Sequence, residues 1–319
     1  MPRVSIRHDK TASAADTSKP SVGAIFACYN PPLTVADNIR ECAKNVDWIV
    51  VVDDGSPDRT GIEELRAKLG ANVELIVKST NRGIADSINI GIEYASEREA
   101  KYLFTFDQDT RVVSSTLQRL LHLATQQEAN TRRFGAIGPG SVGVFSMNYG
   151  HGDSQSSVSP VVELVQSCSL FSVDALLAIG GADVSLVIDA VDTDLCLRLI
   201  RDGYTVSAVP DLHIDHAIGS GESIRLLGRN VMLSNHSAER RYYMTRNRVR
   251  MLVRWSRYQP GWAILYARRM FVSSALAVTL EADRILKAEA IIEGTIDALC
   301  GKRGKRHKID NLGHTRANC

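Results

Sequence analysis

The stretch "DWIVVVDDGS", residues 47–56, decides the fold of this chain. A run of apolar, largely β-branched residues predicts a buried strand, and the acidic residues and glycine behind it predict a turn. Similar runs, "SVGAIFACYN" at 21–30 and "VELIVKSTNRG" at 73–83, lie on either side, separated by amphipathic segments. This alternation is typical of parallel strands with crossover helices, so we expect an α/β sheet whose ligands lie beyond the carboxyl ends of its strands.

The rest of the chain extends this pattern. "KYLFTFDQD" at 101–109 predicts a fourth strand, followed by a helix over about 115–128, a short strand at 134–140 and a polar loop at 150–160. Another strand and helix are predicted within 162–181, and "DTDLCLRLIRDG" at 192–203 is an amphipathic helix. Beyond about residue 240 the pattern is largely helical.

These patterns predict four regions. Residues 1–20 form a flexible tail, and residues 21–240 a catalytic domain with a donor half at 21–112 and an acceptor half at 113–240. A helical region occupies 241–300, and a basic flexible tail occupies 301–319. The first twenty residues lack the apolar centre of a signal peptide, which favours a cytoplasmic protein.

Polar residues recur where the predicted strands end. They are Tyr29 and Asn30, Asp53 to Ser56, Asn81 to Gly83, and Asp107 with Asp109. In an extended chain, Asp107 and Asp109 point to the same side, and two such carboxylates need a positive partner. A divalent cation is the natural one, because Mg²⁺ typically takes one or two protein carboxylates together with substrate phosphates.

Several classes of nucleotide-binding enzyme are disfavoured because the sequence lacks their motifs. There is no GxGxxG after the first strand and no GxxxxGK[ST] motif, so neither dinucleotide oxidoreduction nor P-loop phosphoryl transfer is favoured. A nucleotidyltransferase would usually carry a glycine-rich loop with Arg and Lys after that strand, and "ACYNPPLTVADN" at 27–38 has none. The phosphates are therefore expected to bind through the metal and basic side chains.

The ordered set of motifs resembles a known family. The sequence reads "ACYNP", "VVVDDGSPD", "NRGIADSINIGI", "FDQDT", "IGGADVSLVIDAVDTDLCLRL", "HAIG" and "YYMTRN" in that order, from about residue 22 to residue 299. It is similar to the inverting family 2 glycosyltransferases of GT-A fold, and within them to the bacterial rhamnosyltransferase branch, which uses dTDP-L-rhamnose. The resemblance implies a Rossmann-like, mostly parallel sheet flanked by helices, with a C-terminal helical extension.

The resemblance also implies site residues. On the donor side, Asp53 would accept a hydrogen bond from the nucleotide base, with Tyr29 and Asn30 lining the same pocket. The remaining implied donor-side and metal residues are Asn81, Gly83 and Asn89 in the nucleotide-side loop and helix, Asp107 near ribose and metal, Asp109 as direct ligand of Mg²⁺ or Mn²⁺, and His216 and Arg246 near the diphosphate. His213 is an alternative to His216 as the site histidine.

The implied catalytic base is Asp192 in "VDTD", with Asp194 as the alternative. In an inverting transfer, one base removes the proton of the acceptor hydroxyl while a Lewis acid holds the leaving diphosphate. At a helix start, Asp192 is expected to stay ionised because the helix dipole favours negative charge there. The expected function is metal-dependent transfer of a sugar, L-rhamnose by resemblance, to a glycan or glycolipid. The alternatives are another nucleotide sugar and a non-catalytic sugar-nucleotide-binding assembly protein.

Charge is concentrated at the C-terminal end. From residue 240 onward the chain carries 17 Lys and Arg against 6 Asp and Glu, whereas the whole chain has a net charge of +2. The string "RRYYMTRNRVRMLVRWSR" at 240–257 and the amphipathic stretch at 262–280 favour peripheral association with a membrane or a lipid-linked acceptor. A packed helix with solvated arginines is the alternative. Nucleic acid is not favoured as a partner, since no nucleic-acid-binding motif accompanies the arginines.

Overall fold

A computed structural model describes residues 20–131, 133–143, 147–148, 157–215, 222–226, 229–306, 308–309 and 315–316. The strands are β1 Val22–Cys28, β2 Trp48–Asp53, β3 Val73–Val77, β4 Tyr102–Asp107, β5 Phe134–Val142, β6 Met147–Asn148, β7 Ser159–Pro160, β8 Ser169–Ser172, β9 Thr205–Ile214, β10 Glu222–Leu226, β11 Arg229–Leu233, β12 Lys308–Ile309 and β13 Thr315–Arg316. The helices are α1 Val35–Cys42, α2 Arg59–Arg66, α3 Ile84–Glu97, α4 Ser114–Thr131, α5 Val173–Ala178, α6 Val191–Arg201, α7 Ala238–Trp255, α8 Pro260–Thr279 and α9 Arg284–Leu299, with a 3₁₀ turn at Val184–Leu186.

One sheet organises the described part of the chain, with strand order β3-β2-β1-β4-β8-β5-β9-β7 and with β6 beside β5. The first four strands are parallel, as the sequence predicts. The second half is mixed, because β8 lies antiparallel between β4 and β5 while β5 and β9 are parallel to each other. The parallel half is therefore continued by a mixed half in the same sheet.

The apolar strands divide their side chains between two cores. On β2, Val50 and Val52 face the side covered by α3, while Ile49 and Val51 face the side covered by α1 and α4. Successive side chains of a strand point to opposite faces, so a continuous apolar run fills both layers. The run in "DWIVVVDD" thus explains why every residue of this strand, which lies between β3 and β1, is buried.

The C-terminal helices belong to the same body as the sheet. Trp255 at the end of α7, and Trp262 and Tyr266 on α8, are buried in the core that also contains α3 and α6. On α9, a side chain at Gly294 would lie 2.7 Å from the backbone oxygen of Tyr242, so glycine permits close packing on α7. Within the described part of the chain, no helix combines the length and the apolarity needed to cross a bilayer.

Candidate active site

The loops that follow β1, β2 and β4 are joined to one another at the carboxyl edge of the sheet. In register, Cys28 of β1 lies beside Asp53, and Ala27 lies beside Asp107. The backbone N–H of Asn30 donates to Ser56 Oγ at 2.7 Å, and the next loop is joined by a 2.7 Å bond from the Tyr29 N–H to a glutamine side chain, that of residue 108. The predicted convergence of polar strand ends is therefore present in the structure.

Asp53 is enclosed by its own loop. Its side chain is fully buried, accepts hydrogen bonds from the backbone N–H (3.1 Å) and the hydroxyl of Ser56, and lies 3.8 Å from Arg59 Nη1. Tyr29, by contrast, is 45% exposed and Asn30 is exposed. Asp53 thus shapes the turn, while the residues after β1 face the open side of the same edge.

Asp54 organises the predicted nucleotide-side loop, a role that the sequence reasoning missed. Its two carboxylate oxygens accept from the N–H groups of Arg82 (2.8 Å) and Gly83 (2.7 Å), and Lys78 Nζ lies 2.5 Å from Oδ1. These bonds connect the loop after β2 to the loop that contains Asn81. The two consecutive aspartates of "DDGS" could have indicated this role. A turn needs only one carboxylate, so the second was available to bind another loop.

The same loop, and α3 behind it, contact the segment that precedes α6. Gly83 has φ of +96°, and a side chain there would lie 2.4 Å from the backbone oxygen of Val187. Asn89, predicted to serve the nucleotide, uses its amide on both sides of Ala182, accepting from its N–H at 2.7 Å and donating to its carbonyl at 3.0 Å. In this structure Asn89 therefore joins α3 to the loop that precedes α6.

At the end of β4, the two aspartates of "DQD" differ in environment. The strand ends at Asp107, and residues 108 and 109 form a turn in which the Thr110 N–H donates to the Asp107 carbonyl at 3.3 Å. The premise that both aspartates lie in an extended chain is wrong, because the strand ends at Asp107 and the alternation of side chains applies only within a strand. Asp107 accepts from the Gln166 amide and is half-buried, while Asp109 is exposed.

These two carboxylates fit a divalent cation by their chemistry. Carboxylate oxygens are hard ligands, and Mg²⁺ usually completes its coordination with water and substrate phosphates. No group of three or more His, Cys, Asp or Glu side chains lies close enough to hold a metal within the residues that the structure describes. The predicted ligand His216 lies outside them. His213 is exposed at the end of β9, with Nδ1 3.0 Å from Ser141 Oγ and Nε2 3.5 Å from Asp215.

Asp192 lies in the first turn of α6 and lines a cavity of about 160 Å³. Its Oδ1 accepts from the backbone N–H of Thr193 at 2.8 Å. Burial, together with the charges of Asp189, Glu163 and Asp107, raises the pKa of Asp192 to about 7. The helix start was expected to favour the ionised form, and the N–H bond from Thr193 does so, but desolvation and the three neighbouring carboxylates act in the opposite direction and raise the pKa.

The walls of this cavity come from distant parts of the chain. Arg248 of α7 lies 3.4 Å from Asp189, and Arg269 of α8 is hydrogen-bonded to Glu163. Tyr266 lies beside them, and burial raises the pKa of its phenol, so the hydroxyl stays neutral. The C-terminal helices therefore supply hydrogen-bond donors and positive charges to the space beside Asp192.

Asp194, the alternative base, has a different environment. Its carboxylate is fully buried, with Arg198 Nε at 2.7 Å and Arg254 Nη1 at 3.1 Å. Two guanidinium groups occupy this buried carboxylate and leave it no direct access to a substrate. Of the two aspartates in "VDTD", only Asp192 opens into the cavity.

The "TRN" motif on α7 holds the loop before α6. Arg246 is fully buried and donates to the carbonyl oxygens of Ser185 (3.1 Å) and Gly304, and Asn247 Nδ2 donates to those of Leu186 and Ile188, both at 2.7 Å. In this structure Arg246 contacts backbone carbonyls, not the edge of the sheet where a diphosphate is expected. The sequence could not separate these roles, because an arginine suits either.

The arginines of 240–257 are largely used inside the protein, which neither interpretation of that cluster anticipated. Arg241 lies 2.7 Å from Glu281 and is 3% exposed, and Arg250 donates to Ser185 Oγ at 2.8 Å. Arg246 donates to backbone carbonyls, and Arg248 and Arg254 pair with carboxylates, so most of the arginines in this segment have partners inside the protein.

Comparison with known proteins agrees with this arrangement. The family model described as Glycosyl transferase family 2 matches residues 24–176. The dTDP-rhamnosyl transferase RfbF of Shigella flexneri is 28% identical, and the match covers 89% of this chain and 97% of that protein.

Two solved structures share the fold. The mannosyltransferase PcManGT from Pyrobaculum calidifontis, in complex with GDP-Man and Mn²⁺, aligns with a TM-score of 0.54 at 14% identity, covering 90% of this chain and 89% of that chain. GalNAc-T7 with UDP, GalNAc and Mn²⁺ aligns with a TM-score of 0.57 at 12% identity, covering 89% and 56%. Residues 24–176 are therefore a family 2 glycosyltransferase domain, and the chain as a whole, with this sheet and these converging strand ends, is similar to glycosyltransferases of GT-A fold.

Proposed function

We propose that this glycosyltransferase moves L-rhamnose from dTDP-L-rhamnose to a hydroxyl of a glycan or glycolipid in bacterial surface polysaccharide or glycolipid synthesis, with inversion at the anomeric carbon. The donor is supported by similarity to a dTDP-rhamnosyl transferase along nearly its whole length. The observation that carries the mechanism is the position of Asp192, a carboxylate in the first turn of α6 that lines a cavity together with Arg248 and Tyr266 and whose pKa is raised by burial to about 7.

In the proposed reaction, Asp192 accepts the proton of the acceptor hydroxyl as that oxygen attacks the anomeric carbon. A general base is most effective when its pKa lies near the working pH, and the environment of Asp192 provides such a value. The bond from the Thr193 N–H fixes the carboxylate in one orientation. The second oxygen then remains for the acceptor.

On the donor side, we propose that Tyr29 and Asn30 line the base pocket beside Asp53, and that Asn81 and Gly83 border the nucleotide. Asp107 and Asp109 would hold Mg²⁺ or Mn²⁺, with His216 as a further ligand. The cation would offset the negative charge of the departing diphosphate. The bonds between the loops after β1, β2 and β4 support the proposal, because they fix these groups relative to one another before substrate arrives.

The acceptor is proposed to enter the cavity beside Asp192, where Arg248, Tyr266 and Arg269 offer donors to sugar hydroxyls. Peripheral attachment to a membrane through the arginines of α7 draws no support from their buried ion pairs. The exposed apolar faces of α8 and α9 are the remaining candidate surface.

The test is hydrolysis and transfer with a panel of sugar nucleotides, each with and without Mg²⁺ or Mn²⁺. We expect metal-dependent cleavage of dTDP-L-rhamnose, and at least a hundredfold loss of transfer in Asp192→Asn. Asp211→Asn is the matched control, because that exposed aspartate lies on β9 and pairs with a surface arginine. Undiminished transfer by Asp192→Asn would refute the base assignment, and preferential cleavage of another sugar nucleotide would refute the donor.

A further inference from the structure

The outward faces of α8 and α9 are unusually apolar. On α8, Ile264 and Phe271 are 71% and 73% exposed, and on α9, Ile285, Ile292 and Leu299 are 76%, 60% and 70% exposed. Single exposed apolar residues are common, but a run of large ones on two neighbouring helices marks an interaction surface. A partner is therefore expected on this face.

The spacing of these residues describes a seam on each helix. The α8 stripe consists of Ile264, Arg268, Phe271, Ala275 and Val278, and the α9 stripe consists of Ile285, Glu289, Ile292, Ile296 and Leu299. Both follow the alternating four- and three-residue spacing with which one helix packs against another. Each stripe contains one exposed charge, and the two charges have opposite signs, Arg268 on α8 and Glu289 on α9.

The chain reverses between the two stripes. Arg241 donates to Ser273 of α8 and to Glu281 in the connection, and Glu281 also binds Lys287 of α9, so both helices meet at one buried cluster. Counted along the chain, Phe271 and Ile292 are equally far from the middle of the connection at 280–283. With equal rise per residue on each helix, the centres of the two stripes lie at the same level.

The two charges are placed symmetrically about that level. Arg268 lies three residues beyond Phe271, away from the connection, and Glu289 lies three residues before Ile292, towards the connection. A two-fold axis through the centres of the stripes therefore brings Arg268 of one copy level with Glu289 of the other, and the reverse. Closed dimers require such self-complementary pairs, in which each contact occurs twice.

We propose that this face is the interface of a homodimer, formed by α8 and α9 of two copies of the chain. A bilayer of anionic lipids fits the face less well, because Glu289 stands in the middle of an apolar stripe and would be repelled by the headgroups. A second copy of the chain would bury the apolar stripes and would place its Glu289 beside Arg268 and its Arg268 beside Glu289. The proposal concerns assembly and does not depend on the donor or on the base.

The test is the mass of the full chain in solution, measured by sedimentation across a concentration series. We expect a dimer for the wild type. Arg268→Glu and Glu289→Arg should each weaken dimerisation roughly tenfold, because each replaces two attractions with two repulsions. Mixing the two variants should restore the dimer, since both pairs across the mixed interface are then of opposite sign.

A control variant and a vesicle-flotation measurement distinguish a dimer interface from a membrane-binding surface. Val253→Asp, which introduces a charge at an equally exposed apolar position of α7, should leave the dimer intact. Circular dichroism checks that each variant is folded. A monomeric wild type, single variants that dimerise normally, or a mixture that stays monomeric would overturn the proposal. So would a monomer that floats with anionic phospholipid vesicles, which would assign the face to a bilayer.

Discussion

The raised pKa of Asp192 predicts that the aspartate proposed as the base destabilises the folded protein. An isolated aspartate has a pKa of 3.8, whereas burial and neighbouring carboxylates raise the pKa of Asp192 to about 7. Between these two values the folded state holds a proton that the unfolded state has released. The free energy of unfolding therefore falls as pH rises through this interval and is fully reduced above about pH 7. Asp192→Asn, which does not titrate, should escape this loss.

The magnitude follows from the width of the interval. Each pH unit contributes about 1.4 kcal/mol while the two states differ by one proton. When the pH is raised from about 5.5 to about 8.5, the wild type loses stability only over the part of the interval below pH 7, where the folded state still holds the extra proton. The free energy of unfolding of Asp192→Asn relative to wild type should therefore increase by about 2 kcal/mol. Urea unfolding of both proteins at the two pH values measures this change, and comparing the two proteins cancels every other titrating group.

The matched control is the same substitution two residues along α6. Asp194→Asn should lower the free energy of unfolding by about 3 kcal/mol at both pH values, because it leaves the buried guanidinium of Arg198 without its carboxylate and removes the partner of Arg254. The reasoning is refuted if the relative stability of Asp192→Asn is the same at both pH values, or if it decreases at the higher one.

Three further predictions follow from the same geometry. The rate of sugar transfer should rise with pH through about 7 as Asp192 ionises, and in initial-rate profiles Glu163→Gln should move the midpoint lower by removing a neighbouring negative charge. Gly83→Ala should lower the free energy of unfolding by roughly 2 kcal/mol in urea titrations, because its methyl group would meet the Val187 carbonyl at a positive φ. Asn247→Ala should reduce kcat roughly tenfold with little change in the KM for the donor, because it frees the 186–189 loop beside the base; an equal loss in both parameters would contradict this.

The residues at the strand ends could be placed from the local sequence pattern alone. The run before Asp53 and the apolar segment before Asp107 predict parallel strands, and neighbouring parallel strands must bring their ends to one edge of the sheet. The positions of Tyr29, Asn30 and Asp53 along that edge therefore required no knowledge of the folded protein. The β8 strand was harder to place, because its insertion between β4 and β5 depends on pairing over about 65 residues.

Roles that depend on distant partners were less predictable. Asn89 is eight residues from Asn81 in sequence, yet its amide bonds to Ala182, 93 residues away. Arg246 was expected near a diphosphate and is instead enclosed by carbonyl groups of a loop some 60 residues earlier. The residues next to them in sequence do not predict these partners, because hydrogen bonds between distant elements form only after those elements have packed.

The sequence by itself determined the parallel half of the sheet, the edge at which a nucleotide sugar is expected, and Asp192 and Asp194 as the two candidates for the base. Only the tertiary structure separated those two. It placed Asp194 between two arginines, and it placed Asp192 in a cavity with Glu163 and Asp189. The reason is physical: hydrophobic periodicity is a property of neighbouring residues, whereas a carboxylate's pKa is determined by whichever charges and apolar groups the fold brings around it.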